Sequence, residues 1–191
     1  MGRWEPDAVG RLQQAALELY GERGFEQTAV ADIAERAGLT ERTFFRYFAD
    51  KREVLFLGSE TLQELFENAV ANAPASLAPI DAVGEALRAT AMFFVDRREH
   101  ASRRQAVIAA NPSLQERELI KMSTLAAAAA RALRTRGVGD PAAMLTAEAG
   151  VAVFKIAFER WVDQSDDRDL ALLMEDTLDQ FKTVIGAGEA D

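Results

Sequence analysis

The chain has no cysteine, which excludes disulfides and thiolate-held metals and fits a reducing compartment. One histidine, His100, leaves a metal ion without a ligand set and an acid–base catalyst without a partner. A surface or capping role suits it better. No Cys–His or Ser–His pair, HExxH sequence or phosphate-binding glycine loop is present, so neither enzyme activity nor a cofactor is expected. Prolines number 5, glycines 12, and β-branched runs are scarce. Alanine and leucine dominate instead, which predicts an all-α chain. No apolar run approaches the roughly 20 residues a bilayer-spanning helix needs, and no basic-then-apolar leader opens the chain. A soluble, cytoplasmic protein without a membrane partner is the expectation. An excess of basic charge is missing too: 22 basic residues face 31 acidic ones, a net charge of −9. That balance argues against nucleic acid, but it is uneven. Residues 1–58 hold 8 basic and 10 acidic residues, and residues 59–191 hold 14 and 21. Most of the acidity lies in the second part. DNA charge is screened within about 10 Å, so an acidic body does not forbid a local contact.

What the chain does contain is a stretch organised for recognition, Thr28 to Leu55. A short helix is predicted from about Ala29 to Arg36, with Ile33, Ala34 and Ala37 on its apolar side. Gly38 follows where the backbone needs positive φ. Thr40 then caps a second helix of about Glu41 to Tyr47. Phe44 and Phe48 lie four residues apart and share its inner face. The outer face carries Arg42, Thr43, Phe45, Arg46 and Tyr47. A merely solvated face would carry Glu, Lys and Gln. Guanidinium groups can read guanine edges or hold phosphate, threonine and aromatic rings can meet a thymine methyl, and tyrosine can donate to phosphate. Lys51 and Arg52 are expected to open the next helix, and with Thr28 and Tyr47, Lys51 is a candidate phosphate contact. From Thr40 to Arg52 the net charge is +2.

These residues resemble the helix-turn-helix of the TetR family of transcriptional regulators. The resemblance rests on Gly24-Phe25, Thr28, Ile33-Ala34, Ala37-Gly38-Leu39, Thr43-Phe44-Phe45, Tyr47-Phe48, Lys51 and Leu55, without gaps over some fifty residues. It implies a three-helix DNA-binding head over residues 1–52, with Thr28, Thr40, Glu41, Arg42, Thr43, Phe45, Arg46, Tyr47 and Lys51 at the DNA. It also implies a ligand-binding and dimerisation body over residues 53–191.

Around that stretch the pattern is helical, with about nine helices in all. Residues 1–6 read as a loose arm, with Arg3 within reach of phosphate. Asp7 can cap a first helix with Val9, Leu12, Ala16, Leu19 and Tyr20 inward, ended by Gly24; Arg11 and Arg23 are expected in solvent. A fourth helix is predicted from Lys51 to Asn72, and a fifth from Asp81 to Arg97 with Val83, Leu87, Ala91 and Phe94 inward. The cluster Arg97, Arg98, Glu99, His100, Arg103 and Arg104 reads as a solvated turn; its sharper reading is a site for an acidic ligand or a link to the head. Asn111-Pro112-Ser113 breaks the chain before a long helix, Leu114 to Arg136, with alanines at 126–130. Asp140-Pro141 starts the next helix, residues 165–167 make a polar turn, and the last helix carries Leu173, Leu178, Phe181 and Ile185 ahead of a tail.

In the resemblance the body is a sensor and a homodimer contact. Met92, Phe93, Arg103, Val107, Leu125 and Phe158 are candidate ligand-lining residues, though each alone also fits plain core. Phe158, Trp161 and Phe181 are candidates for the dimer core. Arg103 to Arg136 resembles the C-terminal part of regulators of the mycofactocin-regulator type, which implies an acyl-thioester or similar lipid-like effector. The function implied is a repressor released from double-stranded operator DNA by a small hydrophobic effector. The competing reading is a helical protein-interaction module whose exposed aromatics bind a partner helix.

Overall fold

The computed structural model describes residues 7–163 and 168–186. The arm expected at residues 1–6, the turn at 165–167 and all of the tail expected at 186–191 except Gly186, which ends the last helix, lie outside them. Among the described residues there are nine α-helices and no strand: α1 Ala8–Arg23, α2 Val30–Arg36, α3 Glu41–Tyr47, α4 Ser59–Asn72, α5 Pro79–Phe93, α6 Arg98–Ala109, α7 Pro112–Thr135, α8 Ala142–Val162 and α9 Leu170–Gly186. A one-turn 3-10 helix, Glu53–Phe56, stands between α3 and α4. The all-α expectation holds. None of these helices is long and apolar enough to cross a membrane.

The chain forms two compact units. One runs to Gly58 and takes in His100–Glu118; the other comprises Ser59–Glu99 and the chain from Leu119 onward. The first unit has a core of Leu12, Leu19, Tyr20, Phe25, Ile33, Phe44, Phe48, Val54 and Leu55, joined by Val107, Ile108 and Leu114. Asp7 caps α1, its carboxylate accepting from the Gly10 amide at 2.9 Å. Arg11 is not a solvated cation: its guanidinium donates to the Ala37 carbonyl at the end of α2. The second unit packs α4 on α5 and α5 on both α8 and α9. Val83 of α5 sits where a Cβ on Gly150 of α8 would be, so only glycine admits this helix contact.

Two boundaries differ from expectation. The helix predicted from Lys51 to Asn72 is broken: the 3-10 turn ends at Phe56, Leu57 is extended, and Gly58 turns the chain at φ +85°. The apolar run Val54-Leu55-Phe56 buries all three side chains, which suits a tight turn packed on the core better than one helix stripe. Helix α5 stops at Phe93 rather than Arg97, and Asp96 takes φ +59°.

Candidate nucleic-acid interface

The geometry begins with the turn between α2 and α3. Gly38 takes φ +67°, a conformation that side chains disfavour, and its amide closes on the Glu35 carbonyl at 2.9 Å. Thr40 then caps α3, its hydroxyl accepting from the Thr43 amide at 3.2 Å and lying 3.0 Å from the Thr43 hydroxyl. The apolar side chains of α3 fix its rotation. Phe44 is fully buried and Phe48 nearly so, their rings 5.4 Å apart. With that face inward, Glu41, Arg42, Phe45, Arg46 and Tyr47 are turned to solvent and Thr43 is half-buried. Phe45 is 55% exposed and Tyr47 44%, values that no packing requirement explains. Arg46 lies over the Tyr47 ring, 4.8 Å from its centroid, and donates to the Tyr47 hydroxyl at 3.0 Å. The face therefore offers two guanidiniums, an edge of aromatic surface and a hydroxyl.

Two of the expected phosphate contacts are otherwise engaged. Thr28 is buried, and its hydroxyl donates to the Gly24 carbonyl at 2.8 Å. The Lys51 ammonium donates to the carbonyls of Phe25 at 2.8 Å and Thr28 at 3.1 Å. Lys51 and Arg52 lie in a turn rather than in a helix start, and Arg52 pairs with Asp50 at 2.7 Å.

The basic cluster of α6 also departs from a solvated surface. Arg104 donates to the Leu55 carbonyl at 2.6 Å and to Glu118 at 3.0 Å, with its guanidinium 5.1 Å from the Phe56 ring centroid. Burial lowers the pKa of Arg104, and the Glu118 carboxylate opposes that shift. Nearby, Arg117 pairs with Glu53 at 2.7 Å. Together these contacts explain why part of α6 and the start of α7 belong to the first unit. The sharper sequence reading was a site for an acidic ligand or a link to the head; the Arg104 contact with Leu55 is of the second kind.

The six ligand-lining candidates are divided between the two units. Arg103 and Val107 belong to the first unit, and Met92, Phe93, Leu125 and Phe158 to the second. Met92 is exposed, Phe93 half-buried, and Leu125 and Phe158 buried. Phe158 belongs to an aromatic cluster with Phe94, Phe154 and Trp161, its ring centroid 5.2 Å from that of Phe94. Phe158 and Trp161 are thus buried within the chain, while Phe181 is half-buried. On α8 and α9 the exposed apolar side chains are Met144, Leu145, Ile156, Leu172, Val184 and Ile185. Sequence reasoning missed Thr90. It is fully buried on α5, one turn before Phe94, and its hydroxyl has no hydrogen-bond partner. Its signal was a lone hydroxyl in an otherwise apolar stripe with Val83, Leu87 and Phe94.

Comparison with known proteins places these features. The sequence model of the bacterial regulatory proteins of the tetR family matches residues 12–56, and that of the MftR C-terminal domain matches residues 77–186. The chain is 26% identical over 193 residues to MftR of Mycobacterium tuberculosis, named for regulation of mycofactocin biosynthesis; 98% of this chain and 94% of that protein are covered. It is 40% identical over 79 residues to the transcriptional regulator TcmR of Streptomyces glaucescens, spanning 41% of this chain and only 35% of TcmR. In fold it is similar to Thermus thermophilus FadR, a transcriptional repressor solved in complex with lauroyl-CoA, with a TM-score of 0.54 at 23% identity over 89% of this chain and 91% of that one.

Proposed function

The chain belongs to the TetR family of bacterial regulatory proteins, with a C-terminal domain of the MftR type, and from that premise we propose that this transcriptional regulator is a repressor released from its operator by a long-chain acyl thioester. The observation that carries the DNA half is the outward face of α3. Its rotation is fixed by Phe44 and Phe48, and it leaves Arg42, Phe45, Arg46 and Tyr47 in solvent. Arg42 and Arg46 suit guanine edges or phosphate, Thr43 and Phe45 a thymine methyl, and Tyr47 a phosphate oxygen. Thr40 and Glu41 hold the helix start beside them. A seven-residue helix reads only a few base pairs, so two copies on adjacent half-sites are needed for useful specificity. The exposed apolar residues of α8 and α9, with Phe181 at their edge, support a homodimer through those helices.

The effector half draws on the body. The unpartnered Thr90 hydroxyl, one turn from a cluster of four aromatic rings, supports an apolar ligand with a single buried polar group. FadR of Thermus thermophilus, similar in fold, binds lauroyl-CoA. An effector favouring the non-binding state a hundredfold shifts the equilibrium by about 2.7 kcal/mol. The test is fluorescence anisotropy on DNA from upstream of the chain's own gene, followed by addition of lauroyl-CoA. Saturable, salt-sensitive binding that the thioester reverses is the expected outcome. Binding that ignores the thioester removes the effector half, and no preference for that DNA over unrelated duplex favours the protein-interaction module.

A further inference from the structure

Lys51 is held at both ends. Its ammonium has three protons, and three carbonyl oxygens of one turn receive them: Phe25 at 2.8 Å, Thr28 at 3.1 Å and Glu26 at 3.3 Å. The nitrogen also sits 4.4 Å from the centroid of the Phe25 ring, a cation–π distance. At the other end, the carbonyl of Lys51 accepts from the buried Tyr20 hydroxyl at 2.6 Å. Burial, and then the charge of Asp50, push the phenol pKa of Tyr20 well up, so it stays a neutral donor. Tyr20 closes the loop by meeting Phe25 edge-on, ring centroids 5.2 Å apart. The turn is fastened from within too, by the Thr28 hydroxyl on the Gly24 carbonyl. Residues 25–28 lead directly into α2, and Lys51 follows α3 by a few residues. The side chain therefore fixes the entry of α2 against the exit of α3.

We propose that Lys51 is a positioning residue for the DNA-reading head and makes no phosphate contact. A phosphate oxygen at the ammonium would have to displace carbonyls already at hydrogen-bond distance on the inner side. Charge-assisted bonds of that kind are the stronger ones, and breaking them leaves carbonyls unpaired. Lys51 acts on DNA through the placing of α2 and α3. The inference rests on the DNA-binding reading for its consequence, though not for its geometry.

Two variants separate the possibilities. Lys51→Met keeps the stem and removes the charge and all donors. Lys51→Arg keeps the charge, but its planar fork cannot direct protons at three carbonyls clustered around one nitrogen. The DNA probe is a duplex selected from a random library by the wild-type protein, with a scrambled duplex beside it. Titrations are run at a temperature where circular dichroism gives each variant its full helicity. Both variants should lose about tenfold or more in preference for the selected duplex, the scale of one charge-assisted hydrogen bond. Amide exchange in residues 24–30 should speed up in both. The log–log salt slope of Lys51→Met should equal that of wild type. A slope smaller in magnitude by about one in Lys51→Met, with Lys51→Arg like wild type, is the signature of a phosphate contact and overturns the proposal. Wild-type exchange and preference in Lys51→Met overturn it too. Should wild type select no duplex, the DNA reading fails, and amide exchange in residues 24–30 still decides whether Lys51 fastens the turn.

Discussion

Removing the Glu118 carboxylate should cost more than its place on a helix suggests. Glu118 holds Arg104 at 3.0 Å, and only 20% of the Arg104 side chain and 23% of the Glu118 side chain are open to water. Breaking a fully buried pair by deleting one partner costs about 3–5 kcal/mol, because the other charge is stranded. Here the guanidinium keeps the Leu55 carbonyl and some solvent, so Glu118→Ala should cost about 2–3 kcal/mol by the same reasoning. Arg104→Met retains packing on Phe56 but leaves the Leu55 carbonyl unpaired and Glu118 with only the Gln105 amide at 3.4 Å, for about 2 kcal/mol. With both changes no charge is stranded. The double variant Arg104→Met/Glu118→Ala should therefore fall short of the sum of the singles by about 1–2 kcal/mol. Urea denaturation followed by circular dichroism, with exchange on residues 53–56 to locate the effect, measures all of these. The Arg117–Glu53 pair serves as a control. Its arginine is 32% open, and Arg117→Met should cost about 1 kcal/mol or less. A loss below about 0.5 kcal/mol for Glu118→Ala, or strict additivity, would refute the claim that this pair braces the head.

Other perturbations test other parts. Phe44→Ala empties a site with no exposure and should cost about 3–5 kcal/mol, read in the melting of the first unit. Hydrogen bonds from Arg52 hold the Asp50 carboxyl below its ordinary value of 3.8. A depressed folded pKa gives stability that is present above the unfolded value and lost as pH falls through the folded one, so the melting-temperature gap between wild type and Asp50→Asn should close below about pH 4. Phe181→Glu should give monomers by sedimentation and lose tight DNA binding; an unchanged dimer would move the interface away from α9.

The head was legible because its signals are local. The cap at Thr40, the glycine at 38 and the four-residue spacing of Phe44 and Phe48 fix α3 and its rotation within a dozen residues, and the exposed Arg42, Phe45 and Tyr47 follow. What escaped depended on distant partners. Lys51 reads from sequence as a phosphate contact at a helix start, and only the fold brings the Phe25–Thr28 carbonyls to it. Arg104 looked solvated because its neighbours in sequence are charged; its partners, Leu55 and Glu118, are 49 and 14 positions away. The break at Leu57-Gly58 was hidden by an apolar pattern that fits a helix and a buried turn equally well. The candidate ligand-lining residues, five apolar and Arg103, divide between the two units, whereas Thr90 stands out only once its burial is known.

The central claim is that α3 reads base pairs from its outer face, and one titration addresses it most directly. A duplex selected by the wild-type protein from a random library is titrated with wild type and with Arg42→Ala over a range of salt. Wild type should prefer that duplex to a scrambled one, with affinity falling linearly in log–log salt, and Arg42→Ala should lose about 1–3 kcal/mol of that preference while keeping its non-specific binding. Equal affinity of wild type for selected and scrambled duplexes, or an Arg42→Ala variant whose preference is undiminished, would contradict it.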